Sequence, residues 1–369
     1  MSDFYLGLMS GTSLDGLDIA LCEIDENGHT SLVKSHSAPL PLTLRTHLQA
    51  LTQPGTDELN IYASCDREFA AFCAQHILHF LRQADVPTSR IRAIGSHGQT
   101  VRHMPVATPA YTLQLGCAST LASLTGIDVV ADFRRKDIAL GGQGAPLAPA
   151  FHKAMLGGDA VSRAVLNIGG IANLTLFTED RQTLGFDTGP GNCLLDAWYT
   201  KHHPLQGRYF DHQGSFAQSG QVHQAFLERM LEDPYFRQPA PKSTGREYFH
   251  LDWVEQKLAA EDLDPADIQR TLLELTAVTI SAPLREYALR ECFVCGGGVH
   301  NSALLGRLKA LSPEVTFAST AELGIEPDWV EAMAFAWLAW SHIEKRPSNL
   351  PEVTGATRAA ILGGYFPAN

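Results

Sequence analysis

The chain has 369 residues, 45% of them hydrophobic and 18% charged, with a formal net charge of −12. Its length suits two domains, its composition is too apolar for a disordered chain, and its acidic balance excludes a broad basic face for nucleic acid or an anionic membrane. Any phosphate ligand must be held by backbone amides, a few local cations or a metal, because the bulk charge repels it.

Residues 4–9 are mostly apolar, the polar run 10–16 interrupts them, and 17–24 return to partial alternation. That pattern predicts strand, tight turn, strand. Residues 31–38 predict a third strand. Between 57 and 84, Ile61, Cys65, Phe69, Phe72, Cys73, Ile77, Phe80 and Leu81 recur at three- and four-residue steps, which predicts a long amphipathic helix. Residues 91–95 predict a short buried strand ending in Ser96-His97-Gly98-Gln99, and 111–115 and 128–130 predict two more. The longest uncharged run, 104–127, holds too much Thr, Gln, Ser and Gly to span a bilayer. Met1-Ser2-Asp3 shows no basic leader before an apolar stretch, so neither a membrane span nor a signal peptide is expected. Around 139–149 the composition turns to Gly, Pro and Ala, and the domain boundary is placed there, giving domains 1–140 and 141–369.

The opening pattern then repeats. Residues 164–168 and 172–177 predict strands around Gly169-Gly170, and 184–186 a third that ends at Asp187-Thr188-Gly189-Pro190-Gly191 before a helix over 192–199. Residues 201–249 are polar and rich in His, Gln, Pro and Gly, which predicts loops or an insertion around 200–250. A long helix over 267–290 contains Pro283, where a kink or break is expected. Residues 292–295 predict a strand, Gly296-Gly297-Gly298 a turn, 302–311 a helix, 314–318 a strand and 328–343 a last helix whose Trp and Met stripe reads as core. Cys292-x-x-Cys295 is the only close pair among seven cysteines and reads as buried strand thiols, which suits a reducing cytosol. Two α/β domains facing each other across a cleft, with ligand at the glycine-rich strand ends, is the simplest architecture.

Gly11-x4-Gly16 has Walker spacing, but Leu17-Asp18 stand where Lys-Ser/Thr would follow and a strand replaces the helix, so that motif is rejected. What remains is a hairpin tip whose amides and hydroxyls (Ser10, Thr12, Ser13) suit an anion, with Asp15 and Asp18 calling for Mg²⁺ as intermediary. An ordinary hairpin with Asp at turn positions is the alternative. Asp187, at a strand end beside a phosphate turn, suits a general base, or else it caps the next helix. Three glycines at 296–298 let a nucleotide approach the backbone closely, and a tight turn explains them too.

Taken together, Met9-Ser10-Gly11-Thr12-Ser13-Leu14-Asp15-Gly16, Ser96-His97-Gly98-Gln99-Thr100, Gly141-Gly142-Gln143-Gly144-Ala145-Pro146-Leu147, Asn167-Ile168-Gly169-Gly170-Ile171-Ala172-Asn173 and Phe186-Asp187-Thr188-Gly189-Pro190-Gly191-Asn192 resemble the bacterial anhydro-N-acetylmuramic acid kinases, from residue 6 to the end and less markedly over 200–250. The resemblance implies two ribonuclease H-like (actin/hexokinase-type) α/β domains facing each other across a nucleotide cleft. It implies ATP-dependent phosphorylation of 1,6-anhydro-N-acetylmuramic acid with hydrolytic opening of the anhydro ring, in cytoplasmic murein recycling, by a homodimer. Carried onto this chain, Asp187 is the catalytic base. Gly11, Thr12, Ser13, Leu14, Asp15, Gly16, Leu17 and Asp18 hold the ATP phosphates, with Gly169, Gly170, Gly189 and Gly191, while Gly296, Gly297 and Gly298 hold the adenosine. Mg²⁺ is reached through water by Asp187 or Asp15. The superfold's sugar kinases usually carry an acid where this chain has Met9, which leaves the metal ligands open.

Glu331 interrupts an apolar helix and, on the same resemblance, binds sugar hydroxyls; a solvated helix position is the other reading. His97 and Gly98 line the sugar pocket or are structural, and His97 with His103 lacks metal-ligand spacing. Arg134 suits the lactyl carboxylate, although paired Arg134-Arg135 also read as a surface loop. Two rival functions remain, an actin-like or chaperone-type ATPase and a phosphatase or carbamoyl-type enzyme on the same fold.

Overall fold

Alternating apolar residues open the chain as two antiparallel strands, β1 (Asp3–Ser10) and β2 (Gly16–Ile24), in register from Asp3↔Ile24 to Met9↔Asp18. The computed structural model describes residues 2–11, 14, 16–157, 162–180, 182–204, 209–246, 248–259 and 261–369, so Thr12, Ser13 and Asp15 lie outside the described residues. β3 (Thr30–Pro39) joins β2 antiparallel, and β4 (Ile91–Met104) lies parallel to β1 on the other side. β5 (Tyr111–Leu115) folds back onto β4, and β6 (Val129–Ala131) runs parallel to it.

Strand alternation puts Leu6 and Leu8 on one face of the first sheet and Gly7 on the other. The leucines join a core with Cys65, Phe69, Cys73, Ile77, Phe80 and Leu81 of the helix Glu58–Ala84, as its spacing predicts. On the opposite face lies the helix Val330–Ile343. Gly7 and Gly95 are neighbours in register, and a Cβ on either would collide with the backbone carbonyl of Ala332 or Phe335. These two glycines let the helix sit directly on the sheet. Met333, Trp337 and Trp340 are buried in it.

In the second half, β7 (Arg163–Ile168), β8 (Ile171–Phe177) and β9 (Thr183–Pro190) form an antiparallel meander. β10 (Glu291–Cys295) is parallel to β7, and β11 (Thr316–Ser319) is parallel to β10. Leu166, Ile168, Leu174 and Leu176 pack with Leu272, Leu275 and Ile280 of the helix Pro265–Glu286. A closing strand, β12 (Gly364–Phe366), returns to pair with β6. The sheets run β12-β6-β4-β1-β2-β3, with β5 on β4, and β11-β10-β7-β8-β9. In both, an antiparallel meander of three strands is extended by parallel strands beside its first, the ribonuclease H-like order that was expected twice.

Several boundaries differ from expectation. β4 runs fourteen residues rather than five. Its second half pairs with β5 after Gly98 (φ 74°), and there only Val101 is apolar and buried, beside buried Gln99, so apolar periodicity could not follow it. β9 continues through Asp187 to Pro190. The polar stretch 201–249 forms helices such as Gln224–Leu231, which buries Phe226, Leu227 and Met230. The helix with Pro283 ends one turn later, at Glu286.

The chain divides into one unit of Met1–Leu156 with Trp329–Asn369 and another of Gly157–Asp328, rather than at 140/141. The Gly/Pro stretch is no linker. The Asp137 carboxylate accepts from Gly144 N–H, Asn349 Nδ2 and Thr354 Oγ1, each at 2.8 Å, which binds this loop to the returning C-terminal segment. None of the seven cysteines forms a disulfide, and Cys292 and Cys295 are buried as expected. Among the described residues no helix is long and apolar enough to cross a membrane.

Candidate active site

In the first unit the polar turn after β1 is clamped by β4. Ser10 and Gln99 are register partners, both buried. Ser10 Oγ lies 2.6 Å from Gln99 Oε1 and 2.8 Å from Gly16 O, and its one proton serves them in turn. Gln99 Nε2 donates to Gly11 O at 3.1 Å. The Ser10 hydroxyl, expected to face an anion, is thus engaged inside the fold. Leu14 N–H donates to Gly11 O at 3.2 Å while Leu14 itself takes φ 57°. A leucine in that region is strained, and the burial of its side chain in the first core holds it there. Leu14 and the buried Leu17 therefore offer a ligand only backbone, as do Gly11 and Gly16. Asp18 lies opposite Met9, and register partners share a face. A carboxylate is thereby supplied beside the position where the expected acid is missing.

Arg134 lies in the first turn of the helix Phe133–Ala139, not in a loop. Arg135 is exposed and 3.5 Å from Asp132, whereas Arg134 is half-buried. Arg134 Nη1 donates to Gly144 O at 2.8 Å, and Nη2 and Nε point at His97 Nε2 at 2.9 and 3.3 Å. His97 Nδ1–H donates to Ser10 O at 3.2 Å, which assigns the proton to Nδ1 and the lone pair to Nε2. Burial first, and the Arg134 charge second, push the His97 pKa down to about 3, in keeping with that neutral ring. The same causes in the same order bring His103 to about 4.

Burial also lowers Arg134 to about 10 against the opposing charges of Glu331 and Asp137. Glu331 keeps solvent-accessible surface, yet desolvation raises its carboxyl pKa. Arg134 opposes that shift and Asp18 adds to it. Arg134, Glu331 and Asp18 thus form one electrostatic group. His97 and Gly98 lie buried behind Arg134, with Gly98 against the β5 backbone at Leu115, so their place is to support it.

In the second unit Asp187 sits at a β-bulge. Asn173 faces Asp187 and Ala172 faces Gly189, leaving Thr188 over. Bulges re-aim the side chains beside them. Asp187 N–H donates to Lys242 O at 3.0 Å, its carbonyl accepts Tyr235 Oη–H at 2.8 Å, and its Oδ2 accepts Thr244 N–H at 2.9 Å. Asp187 does not cap the next helix, Cys193–His202, whose cap position is Asn192. Lys242 is also engaged: Nζ donates to Tyr235 O at 3.2 Å, and burial lowers its pKa against the pull of Asp187.

The amides at this helix start are turned inward. Gly191 N–H and Cys193 N–H donate to Gly170 O at 2.9 and 3.0 Å, and Asn192 N–H to Gly169 O at 2.8 Å. Gly189 (φ 145°) lies against Phe236. The expectation that Gly191 directs its amide at a phosphate is therefore not met; the turn is a seal for Gly169-Gly170. Gly170 instead faces the guanidinium of Arg246: a Cβ there would stand 2.9 Å from Nε and 3.0 Å from Nη2. Gly296 (φ 76°) and Gly298 press on Asn167 and Ile168 of β7, and exposed Gly297 has open space where a side chain would be.

Gln99, Tyr235, Lys242, Thr244 and Arg246 were not singled out as site residues. Gln99 lay within a quoted motif, but nothing in the sequence links 235–246 to Asp187, some fifty positions earlier. Among the described residues no group of three or more His, Cys, Asp or Glu is arranged to hold a metal.

The family model for anhydro-N-acetylmuramic acid kinase matches residues 3–368. Proteins of that name are similar along nearly their whole length. The one from Pseudomonas paraeruginosa (strain PA7) is 49% identical over 368 residues, 99% of each chain. The one from Xanthomonas oryzae pv. oryzae is 51% identical over 369 residues, 99% of this chain and 97% of that protein. The one from Coxiella burnetii (strain Dugway) is 47% identical over 366 residues, 98% of this chain and 97% of that protein. This chain belongs to the anhydro-N-acetylmuramic acid kinase family.

Proposed function

We propose that this chain transfers the γ-phosphoryl group of ATP to O6 of 1,6-anhydro-N-acetylmuramic acid while water opens the anhydro bridge, giving N-acetylmuramic acid 6-phosphate. The observation that carries the roles is the tethered Asp187 carboxylate, aimed by a bulge and by Thr244 N–H. Asp187 takes a proton from water as the water oxygen bonds C1. The C1–O6 bond breaks with its electron pair on O6, O6 attacks the γ-phosphorus, and ADP leaves. Capture by phosphorus replaces protonation of the leaving oxygen, so one carboxylate suffices where a glycosidase uses two.

On the sugar, the planar fork of Arg134 suits the lactyl carboxylate, with His97 and the Gly144 carbonyl holding it in place. Glu331, shifted toward the neutral form, suits exchange of hydrogen bonds with hydroxyls. The turn 11–18 and Gly169-Gly170 take the phosphates, and Gly296–Gly298 the adenosine, with Gly297 as the open face. Mg²⁺ fits as an ion brought by ATP and reached through water by Asp187 or Asp15, supplying charge neutralisation on the triphosphate. A homodimer acting in the cytoplasm completes the reading, the seven cysteines without a disulfide supporting a reducing compartment.

Turnover in ¹⁸O-labelled water tests this. The expected product carries one ¹⁸O, on C1, with ADP released only when the anhydro sugar is present. Label in free inorganic phosphate, released without sugar, overturns the proposal in favour of a plain ATPase.

A further inference from the structure

We infer that Arg246 grips the γ-phosphoryl group of ATP at the Gly169-Gly170 turn. This rests on the kinase reading above and assigns it the cation that its chemistry needs. The first turn brings carboxylates and no lysine, and the chain is acidic throughout. In the second unit the helix-start amides at 191–193 are closed onto the Gly169 and Gly170 carbonyls. Those three amides are not free to serve an anion, which leaves a place for a side-chain cation beside the turn.

Arg246 meets that need on three counts. Its guanidinium turns its Nε–Nη2 edge to Gly170, with Nε 2.9 Å, Nη2 3.0 Å and Cζ 3.4 Å from where a Cβ would stand, a contact that a larger residue at 170 would block. It is exposed and has no hydrogen bond or ion pair among the described residues, whereas Arg163, Arg229 and Arg307 are paired with Glu291, Glu261 and Glu274. Its segment is fixed to the base: Lys242 O and Thr244 N–H bind Asp187, two positions before Arg246. Its charge also reaches Cys193, where it opposes the effect of burial on the thiol. A planar donor fork is the geometry that a phosphoryl group accepts, and charge spread over that group in the transition state strengthens the contact.

The test compares Arg246→Gln and Arg246→Lys with the wild-type chain, using ADP and a non-hydrolysable ATP analogue in calorimetry and sugar-dependent ADP release in kinetics. The expected result for Arg246→Gln is analogue binding weaker by about 10- to 100-fold, the loss of hydrogen bonds to a charged group. ADP binding should stay within about twofold, and kcat should fall by roughly 10³-fold, as for arginines that meet a transferring phosphoryl group. Arg246→Lys should recover part of both. Unchanged analogue binding and kcat overturn the inference, and so does equal weakening of ADP and analogue. Wild-type protein that binds ATP but shows no sugar-dependent ADP release instead overturns the kinase reading.

Discussion

In the first unit the link between β1 and β2 spans residues 11–15, carries a leucine at φ 57° and is clamped by a buried Ser10–Gln99 pair. In the second, β7 and β8 meet through two glycines, sealed by three amides of the next helix. The strand order is the same and the chemistry diverges. The first turn rests on a chain of side-chain bonds leading from Ser10 through His97 to Arg134 and on to the Gly144 carbonyl. The second is held by backbone, with the Arg246 guanidinium from elsewhere in the chain set against Gly170 and the Asp187 carboxylate held by Thr244 N–H. A duplicated frame thus supports a buried polar network in one copy and, in the other, the proposed base and the cation inferred beside it.

The sharpest way to break this division of labour is Asp187→Asn. The amide still accepts from Thr244 N–H but takes no proton, so turnover should fall about 10²- to 10⁴-fold with ATP binding within a few-fold; a variant keeping a tenth of wild-type rate removes the base. Arg134→Lys comes next. It loses the fork and the His97 contact, and KM for the anhydro sugar should rise by roughly 10- to 100-fold with KM for ATP nearly constant; steady-state kinetics with equal changes in both would sink its assignment to the sugar. Gln99→Leu should lower stability by about 1–3 kcal/mol, because it strands the Gly11 carbonyl and leaves the Ser10 hydroxyl with Gly16 O alone. Denaturant melts showing a loss under 0.5 kcal/mol would mean that the clamp is not structural.

The smallest effect is in pH. His97, His103 and His152, all in the first unit, have folded pKa values of about 3, 4 and 3, below the ordinary 6.5. Between those values the unfolded chain binds more protons, so their contribution is complete above pH 6.5 and is lost as pH falls toward 3. Hydrogen exchange at pH 4.5 should show the first unit losing protection before the second. Simultaneous loss, or earlier loss in the second, would count against it.

Apolar alternation and helical spacing were enough to read both strand meanders, the helix Glu58–Ala84 and the helix Ser302–Leu311, because each buries one face against a near neighbour. The glycine turns and Asp187 stood out in the sequence as candidates because few residue types suit such turns and such a base. Tertiary structure alone decided the rest. Trp329–Asn369 returns to the first unit because its helix finds Gly7 and Gly95 in register, a match between positions more than two hundred residues apart. Gln99 became a clamp and Arg246 a neighbour of Gly170 for the same reason. Local sequence sets what a segment can form, whereas which polar groups meet depends on long-range packing, and no periodicity records that.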